Sequence, residues 1–366
     1  MKITDFQVYQ YSLPLKYPFQ VQSEKLFHRE GLILELTNEN SIKGFGEIAP
    51  LPGLSTETLA RAGVQILSLK KSFLSQDIPH HLEQFHGHFE NWLKKFQLHP
   101  SVRFGIEMAV LTLLANNKNF SLAKLVNGHH PHPNKILING LLQGPKEQIV
   151  KQAEAMIAQG YKTIKLKVGS AALDEDIEKV KAVNRIIENK AILRVDANQA
   201  WDFEQALTFA EKIGPAAVEY IEEPFPAVER IPEFYTNTLI PVALDESLQT
   251  LNFSNIKSIE GVDVIVVKPT VIGGIERAWH LMEEAKQFAV QTVVSSTFET
   301  SMATIILATL AEHHAHHVSA GLDTINWFDE QLLFNNPSVK NGYLDFHDSA
   351  IRSDNINFNR LTKIER

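Results

Sequence analysis

Three acidic side chains each stand at the end of a short apolar segment: Asp196, Glu222 and Asp245. If these segments are neighbouring parallel strands, their carboxyl ends meet at one edge of the sheet and the three carboxylates lie close together. Carboxylates held that close repel one another and resist ionisation, a conflict that a divalent cation removes. Oxygen ligands, in a chain without cysteine, favour Mg²⁺, or Mn²⁺, over zinc. The alternative is that each carboxylate only caps the helix that follows its strand.

Lysines flank these carboxylates along the chain. Lys165 and Lys167 point to the same side of one predicted strand, because side chains alternate with a period of two, and Lys268 ends another strand. Two ammonium groups held close together disfavour each other's charge, which leaves one amine neutral enough to serve as a base. Two other interpretations stay open: the lysines only balance the acidic cluster, or one forms a Schiff base with a carbonyl substrate.

The charged residues end strands that alternate with amphipathic helices from residue 134 onward. Parallel strands joined by crossover helices predict a (β/α)₈ barrel, with its active site at the C-terminal ends of the strands. An open doubly wound sheet is the competing architecture, but no Gly-x-Gly-x-x-Gly motif follows a strand. The predicted strands are 136–139, 163–167, 192–196, 218–222, 242–245, 264–268, 292–295 and 318–322.

The first part of the chain has a different pattern, with strands followed by helices. Strands are predicted at 6–13, 31–36 and 42–47, and helices begin at Ser55 and Ser101. This order predicts an α+β domain. We expect residues 1–115 to form this domain, residues 116–325 to form the barrel, and residues 326–366 to return in part to the first domain. Residues 129–133 are the predicted linker.

The composition limits the classes of function. There are 35 Lys and Arg residues against 43 Asp and Glu, a net charge of −8, and no basic cluster, which argues against a nucleic-acid or membrane-surface partner. The first residues lack the apolar segment of a signal peptide, and no apolar run is long enough to span a membrane. We therefore predict a cytoplasmic protein that acts on a small molecule, and its oligomeric state stays open.

Taken in order, the charged motifs resemble those of the enolase superfamily, in its muconate-lactonising subgroup. The matching segments are Lys165-Leu166-Lys167, Asp196-Ala197-Asn198, Glu222-Glu223-Pro224, Asp245-Glu246-Ser247 and Val267-Lys268-Pro269-Thr270. Residues 44–53 are similar to a loop of that superfamily's capping domain. The resemblance covers nearly the whole chain, and it implies a modified TIM barrel with an N-terminal α+β capping domain.

Within the subgroup, the chain is most similar to the o-succinylbenzoate synthase family. Gly321-Leu322-Asp323-Thr324 resembles the eighth strand of that family, whereas dipeptide epimerases usually carry a D-x-D motif there. Arg194 and the segment Ser295-Ser296-Thr297 also resemble synthase sequences. The substrate-binding residues that we predict are Asn198, Arg194, Ser295, Ser296, Gly321 and Leu322.

The resemblance also implies a reaction. A small-molecule carboxylate, 2-succinyl-6-hydroxy-2,4-cyclohexadiene-1-carboxylate, would lose water to give o-succinylbenzoate for menaquinone biosynthesis. Asp196, Glu222 and Asp245 would bind Mg²⁺, Lys167 would remove the proton, and Lys165 and Lys268 would assist. Residues 18–27 and 50–54 would form a lid over the site. The alternatives are a dipeptide epimerase or N-acylamino acid racemase that uses the same site, and a barrel that binds a ligand without catalysis.

Overall fold

An antiparallel sheet forms the first layer of the structure. The computed structural model describes residues 1–21, 24–74, 76–128, 133–251, 256, 259–347 and 350–364. Strands β1 (Ile3–Val21), β2 (Glu24–Asn38) and β3 (Lys43–Ile48) pair in sequence order, and β14 (Thr362–Lys363) adds to the outer edge of β1. The three predicted strands of this region lie within β1, β2 and β3. Residues 362–364 thus lie beside β1.

Helices follow this sheet along the chain. They are α1 (Leu59–Phe73), α2 (His88–Leu93), α3 (Pro100–Asn117) and α4 (Leu122–Asn127). Helix α1 begins after Thr58, whose side chain accepts the backbone N–H of Arg61, and not at the predicted Ser55, whose hydroxyl instead accepts the N–H of Leu51 in the preceding loop. Almost every side chain of α3 is buried, because this helix lies between the sheet and the rest of the molecule.

A parallel sheet of seven strands follows, and the seven lie in sequence order across the sheet. The strands are β5 (Gly140–Leu142), β6 (Thr163–Lys167), β7 (Ile192–Asp196), β8 (Ile221–Glu222), β9 (Val242–Leu244), β10 (Val262–Val267) and β11 (Gln291–Val294). The helices around them are α5 (Lys146–Ala158), α6 (Leu173–Ile187), α7 (Phe203–Ile213), α8 (Ile231–Thr238), α9 (Pro269–Ile272), α10 (Ile275–Gln287) and α11 (Ser301–Ala315). Branched apolar side chains dominate these strands, as burial on both faces requires.

The sheet closes through residues 318–322, which were predicted as the eighth strand. This segment makes isolated parallel bridges and no continuous ladder: Ala320 pairs with Ile138, and Gly321 pairs with Ser295. The N–H of Asn139 donates to the carbonyl of Ala320 at 2.9 Å, and the N–H of Gly321 donates to that of Val294 at 2.9 Å. The predicted barrel with an N-terminal α+β domain is confirmed.

Only the second half of the predicted first barrel strand, 136–139, joins the barrel, through the contacts of Ile138 and Asn139 with Ala320. Residues 135–137 form β4 (Lys135–Leu137), which pairs with β13 (Tyr343–Asp345) in a small antiparallel sheet that also contains β12 (Ser338–Lys340). The strand that pairs with β6 is β5. Both segments are apolar, so the local sequence pattern does not show which of them pairs with β6. The difference comes from the distant segment β13, which pairs with β4.

Buried carboxylates join the first layer to the barrel helices. Glu47, on β3, accepts the N–H and hydroxyl of Thr300 at 2.9 and 2.7 Å, at the N-terminus of α11. Glu107, on α3, accepts the N–H groups of Ile275 and Glu276 at 2.6 and 2.9 Å, at the N-terminus of α10. Free N–H groups and the helix dipole favour a negative charge at these positions.

Two predicted segments fall partly outside the described residues. Of the linker 129–133, residues 129–132 are not described. The same holds for residues 22–23 of the lid segment 18–27, and for the side chains of residues 19–24. Among the described residues, no helix is both long and apolar enough to cross a membrane.

Candidate active site

A cavity of about 450 Å³ opens at the C-terminal ends of the barrel strands. It contains ten of the twelve predicted site residues: Lys165, Lys167, Asp196, Asn198, Glu222, Asp245, Lys268, Ser295, Ser296 and Gly321. The first domain contributes Leu51, Gly53 and Leu54 to the wall, so part of the predicted lid segment 50–54 lies over this space.

Strand register places the three carboxylates side by side. Asp196 pairs with Lys167 on β6 and with Glu222 on β8, and Asp245 follows the last residue of β9. All three side chains are almost completely buried, with residue exposures of 1%, 1% and 6% for Asp196, Glu222 and Asp245. Three acids therefore share one small, largely dry space, which is costly unless positive charge accompanies them.

Two lysine ammonium groups supply part of this charge. The Nζ atom of Lys165 lies 2.8 Å from Oδ2 of Asp196 and 2.7 Å from Oε1 of Glu222. Lys268 contacts Oδ2 of Asp245 through its own Nζ atom. The side chains of Lys165 and Lys268 are 15% and 14% exposed, so all three ion pairs are largely shielded from water.

The carboxylates and lysines shift one another's ionisation. Burial raises the pKa of Glu222 to about 8, and the charge of Asp196 adds to this shift. Burial alone would also raise the pKa of Asp196, but Lys165 and Lys167 outweigh it and the pKa is lowered. Burial disfavours the Lys165 ammonium, yet Asp196 and Glu222 raise its pKa well above the ordinary value. Lys165 is therefore not the neutral amine that the sequence argument allowed, because its acidic neighbours dominate.

Lys167 occupies a more open position than the other two lysines. Its side chain is 32% exposed, and its Nζ atom lies 3.2 Å from Oδ2 of Asp196 and 2.6 Å from Oδ1 of Asn198. Asn198 has a left-handed backbone (φ 45°), which turns its side chain back toward the lysine. The amine of Lys167 thus borders the open part of the cavity, where a substrate atom can reach it.

The donor set fits a hard divalent cation. Oε2 of Glu222 is buried and has no hydrogen-bond partner among the described residues, although buried carboxylate oxygens are nearly always satisfied. Asp196, Glu222 and Asp245 offer only oxygen atoms, the ligands that Mg²⁺ and Mn²⁺ prefer. A cation bound by these three residues would satisfy this oxygen and offset the crowded negative charge.

Glu223 and Glu246 directly follow two of the three acids. Glu223 accepts the N–H groups of Asp245 and Ser247 at 2.7 and 2.8 Å and so fixes the backbone at Asp245. Oε1 of Glu246 accepts Nδ2 of Asn198 at 2.9 Å. Both acids orient neighbouring residues through these contacts, and Glu246 also borders the cavity itself.

Hydroxyl groups line another part of the cavity wall, and Asp323 borders the cavity beside them. Ser296 contacts Thr324 through the two hydroxyl groups, and Ser295 lies beside Gly321. A Cβ atom on Gly321 would come within 2.5 Å of Oγ of Ser295, so a larger residue here would displace the Ser295 side chain.

Two predicted substrate-binding residues do not line the cavity. Arg194 lies deeper in the barrel, where it donates to Oε2 of Glu219 at 2.6 Å and to the carbonyl of Ser319 at 2.7 Å. Its side chain points to the same face of the strand as that of Asp196, but it lies two residues nearer the opposite end of the barrel. Its guanidinium therefore bonds to groups below the cavity and does not reach the cavity wall. Leu322 is completely buried and is likewise absent from the cavity wall.

Several wall residues were missed from the sequence. Tyr220 lies two residues before Glu222, and the period of two in a strand was a sufficient signal for it. Asn139, Phe298 and Thr324 also line the cavity. Asn139 and Phe298 lie outside the helices and strands, and Thr324 lies in the short 3-10 helix Asp323–Trp327, so strand periodicity does not mark the direction of these side chains.

Comparison with known proteins agrees with this geometry. Residues 148–350 match the enolase C-terminal domain-like family, and residues 3–113 match the MenC N-terminal domain. An o-succinylbenzoate synthase of Vibrio cholerae is 36% identical over 339 residues, which cover 89% of this chain and 90% of that protein.

Solved structures show the same fold at lower sequence identity. A muconate lactonizing enzyme from Pseudomonas fluorescens superposes with a TM-score of 0.85 at 19% identity, and 98% of each chain is covered. The L-Ala-D/L-Glu epimerase from Bacillus subtilis gives a TM-score of 0.83 at 21% identity, with 94% of this chain and 96% of that one covered.

Fold and cavity together define a barrel enzyme of the enolase superfamily type, whose members use a divalent metal. The chain belongs to the o-succinylbenzoate synthase family within that superfamily, and it is an enzyme of the lyase class.

Proposed function

We propose that this enzyme dehydrates 2-succinyl-6-hydroxy-2,4-cyclohexadiene-1-carboxylate to o-succinylbenzoate, in menaquinone biosynthesis. The observation that carries the proposal is the joint presence, in one cavity, of three buried carboxylates with Lys167 and Lys268. The extended similarity to o-succinylbenzoate synthases supports the choice of substrate. We further propose that the enzyme works in the cytoplasm with Mg²⁺, which Mn²⁺ could replace.

In the proposed mechanism, Asp196, Glu222 and Asp245 hold the metal ion. When bound, this ion supplies positive charge against the negative charge that develops on the substrate carboxylate. Lys165 holds Asp196 and Glu222 in place through its two ion pairs. Because Lys165 has two acidic partners and less exposure, Lys167 is the better placed of the two to accept a proton.

Proton movement then completes the dehydration. The neutral amine of Lys167 accepts the proton α to the substrate carboxylate, and its ammonium returns a proton to the departing hydroxyl group, which leaves as water. Loss of the C–H proton and the hydroxyl group makes the ring aromatic. Lys268 stabilises the anionic intermediate with its positive charge. Leu51 and Leu54 line the cavity and limit the access of water to the reacting groups.

The decisive experiment is a dehydration assay with this substrate in Mg²⁺, with and without EDTA. We expect turnover that EDTA abolishes and that Lys167→Ala lowers by roughly 10²–10⁴-fold, the usual contribution of a positioned acid or base. Lys162→Ala is the matched control, because Lys162 is an exposed lysine directly before the first residue of the same strand. No turnover by a folded, metal-binding protein would refute the proposed substrate.

A second candidate is epimerisation of a dipeptide or N-acylamino acid, because both Lys167 and Lys268 reach the cavity and could act as two bases. The epimerase fold neighbour is consistent with it. Against a dipeptide substrate, Asp323 already accepts the hydroxyl of Tyr161 and the amide of Asn326, each at 2.8 Å, and Thr324 is not acidic. Deuterium uptake from solvent at the α-carbon of both enantiomers would favour epimerisation over dehydration.

A further inference from the structure

A second group of metal-binding side chains lies on the outer helices of the barrel. Glu283 belongs to α10, and His313 and His314 belong to the last turn of α11. One ligand atom from each of the three residues lies within 4.8 Å of the other two. Helices follow their strands in the reverse direction, so the C-terminus of α11 is at the end of the barrel opposite the active-site cavity.

His314 has two buried ring nitrogens whose hydrogen-bonding capacity is not satisfied within the part of the chain that the structure describes. Its side chain is only 1% exposed, yet neither ring nitrogen has a hydrogen-bond partner among the described residues. Nδ1 lies 3.0 Å from Oε1 of Glu283, but the contact does not have the angle of a hydrogen bond. Either tautomer of a neutral imidazole therefore leaves a buried donor and a buried lone pair unsatisfied, an arrangement that is rare in folded proteins.

The surroundings favour a cation beside this imidazole. The negative end of the α11 dipole and the carboxylate of Glu283 attract a cation, and Lys286 opposes them. Trp279 packs against both histidines, with ring centroids 4.3 Å away in each case, and holds the rings in place.

We propose that Glu283, His313 and His314 bind a divalent transition metal of the zinc class, which links α10 to α11. Two imidazoles and one carboxylate are a common three-ligand set for Zn²⁺ and leave a fourth position for water. The same set is poor for Mg²⁺, which requires oxygen ligands. The site is distinct from the carboxylates of the active-site cavity in position and in ligand chemistry.

Zinc binding to the intact enzyme tests this proposal, with Mg²⁺ in excess to occupy the active-site carboxylates. We expect one equivalent of Zn²⁺ in calorimetry and a higher thermal midpoint. Co²⁺ should give the visible absorption of a tetrahedral site. Ni²⁺ should quench the fluorescence of Trp279, and Trp279→Phe should remove that quenching. The same binding in a Glu222→Gln background would show that the active-site carboxylates are not the source.

Variants separate this site from surface histidines nearby. His314→Gln should abolish the Zn²⁺ equivalent, and Glu283→Gln, at a side chain that is 42% exposed and tolerant of change, should weaken binding at least tenfold. The matched control is His316→Gln with His317→Gln, because both residues are exposed and lie only two and three positions after His314. Absence of Zn²⁺ binding would overturn the proposal. So would binding that depends on His316 and His317 and not on Glu283.

Discussion

The Nζ atom of Lys167 lies 2.6 Å from Oδ1 of Asn198, a contact between β6 and the loop after β7. The N–H of Asn198 in turn donates to Oδ1 of Asp196 at 3.1 Å, so one residue orients both the proposed base and a proposed metal ligand. The sequence resemblance suggested that Asn198 binds substrate. Its contacts support a positioning role.

Removal of this contact should slow catalysis more than it weakens substrate binding. We expect Asn198→Gly to lower kcat about 10–100-fold, as loss of a residue that orients a metal ligand usually does, with little change in KM. Glycine tolerates the left-handed backbone at this position, whereas Asn198→Ala adds strain, so the glycine variant isolates the side chain. Steady-state kinetics of both variants provide the measurement. An unchanged kcat would remove Asn198 from the mechanism.

Loss of one carboxylate should impair metal binding directly. We expect Glu222→Gln to weaken Mg²⁺ binding by roughly 100-fold or more, since loss of an orienting residue alone costs about 10–100-fold. Calorimetric titration with Mg²⁺ measures this, and Asp263→Asn, at an exposed acid on β10, is the control. EDTA should lower the thermal midpoint of the wild type and leave that of Glu222→Gln nearly unchanged. Equal Mg²⁺ affinity in the two proteins would exclude Glu222 as a ligand.

The capping carboxylate Glu107 should contribute strongly to stability. Glu107→Ala leaves two buried N–H groups of α10 without an acceptor and removes the 2.8 Å ion pair with Arg103. We expect a loss of about 3–5 kcal/mol in the free energy of unfolding, the usual cost of breaking a buried charge pair. Chemical denaturation gives the value. Glu147→Ala, at an exposed acid in the first turn of α5, should change it by less than about 0.5 kcal/mol.

Two glycines should respond to alanine in opposite ways. A Cβ on Gly46 would lie 1.9 Å from the carbonyl oxygen of Gly105, because β3 and α3 touch backbone to backbone. We expect Gly46→Ala to destabilise the protein by about 3 kcal/mol or more, as severe overpacking does. Gly63, inside α1, has its nearest neighbour at 3.6 Å. Gly63→Ala should raise stability by up to about 1 kcal/mol. Thermal midpoints of the two variants test the contrast, and two shifts of the same sign would contradict it.

The charged residues at the strand ends could be predicted from the local sequence pattern. The positions of residues that depend on contacts with distant parts of the chain could not. Asp196 and Lys167 interrupt apolar runs at regular places, and that local signal was enough to bring them to one edge of the sheet. Arg194 has the same strand parity as Asp196, but only its partners Glu219 and Ser319 reveal that it lies deeper in the barrel. Whether β4 or β5 joins the barrel is likewise decided by the tail at 343–345.

The carboxylates of Glu47 and Glu107 also limit how freely the N-terminal domain of this enzyme can be exchanged for that of another protein. Each carboxylate belongs to the N-terminal domain, whereas the helix N-terminus whose N–H groups it accepts belongs to the barrel. A chimera that joins a foreign N-terminal segment to this barrel would leave the N–H groups at the N-termini of α10 and α11 without their carboxylate acceptors. This loss is avoided only if the donor segment carries acids at the same two positions. We therefore expect chimeras of this barrel to fold only when the donor segment carries an acid at both positions.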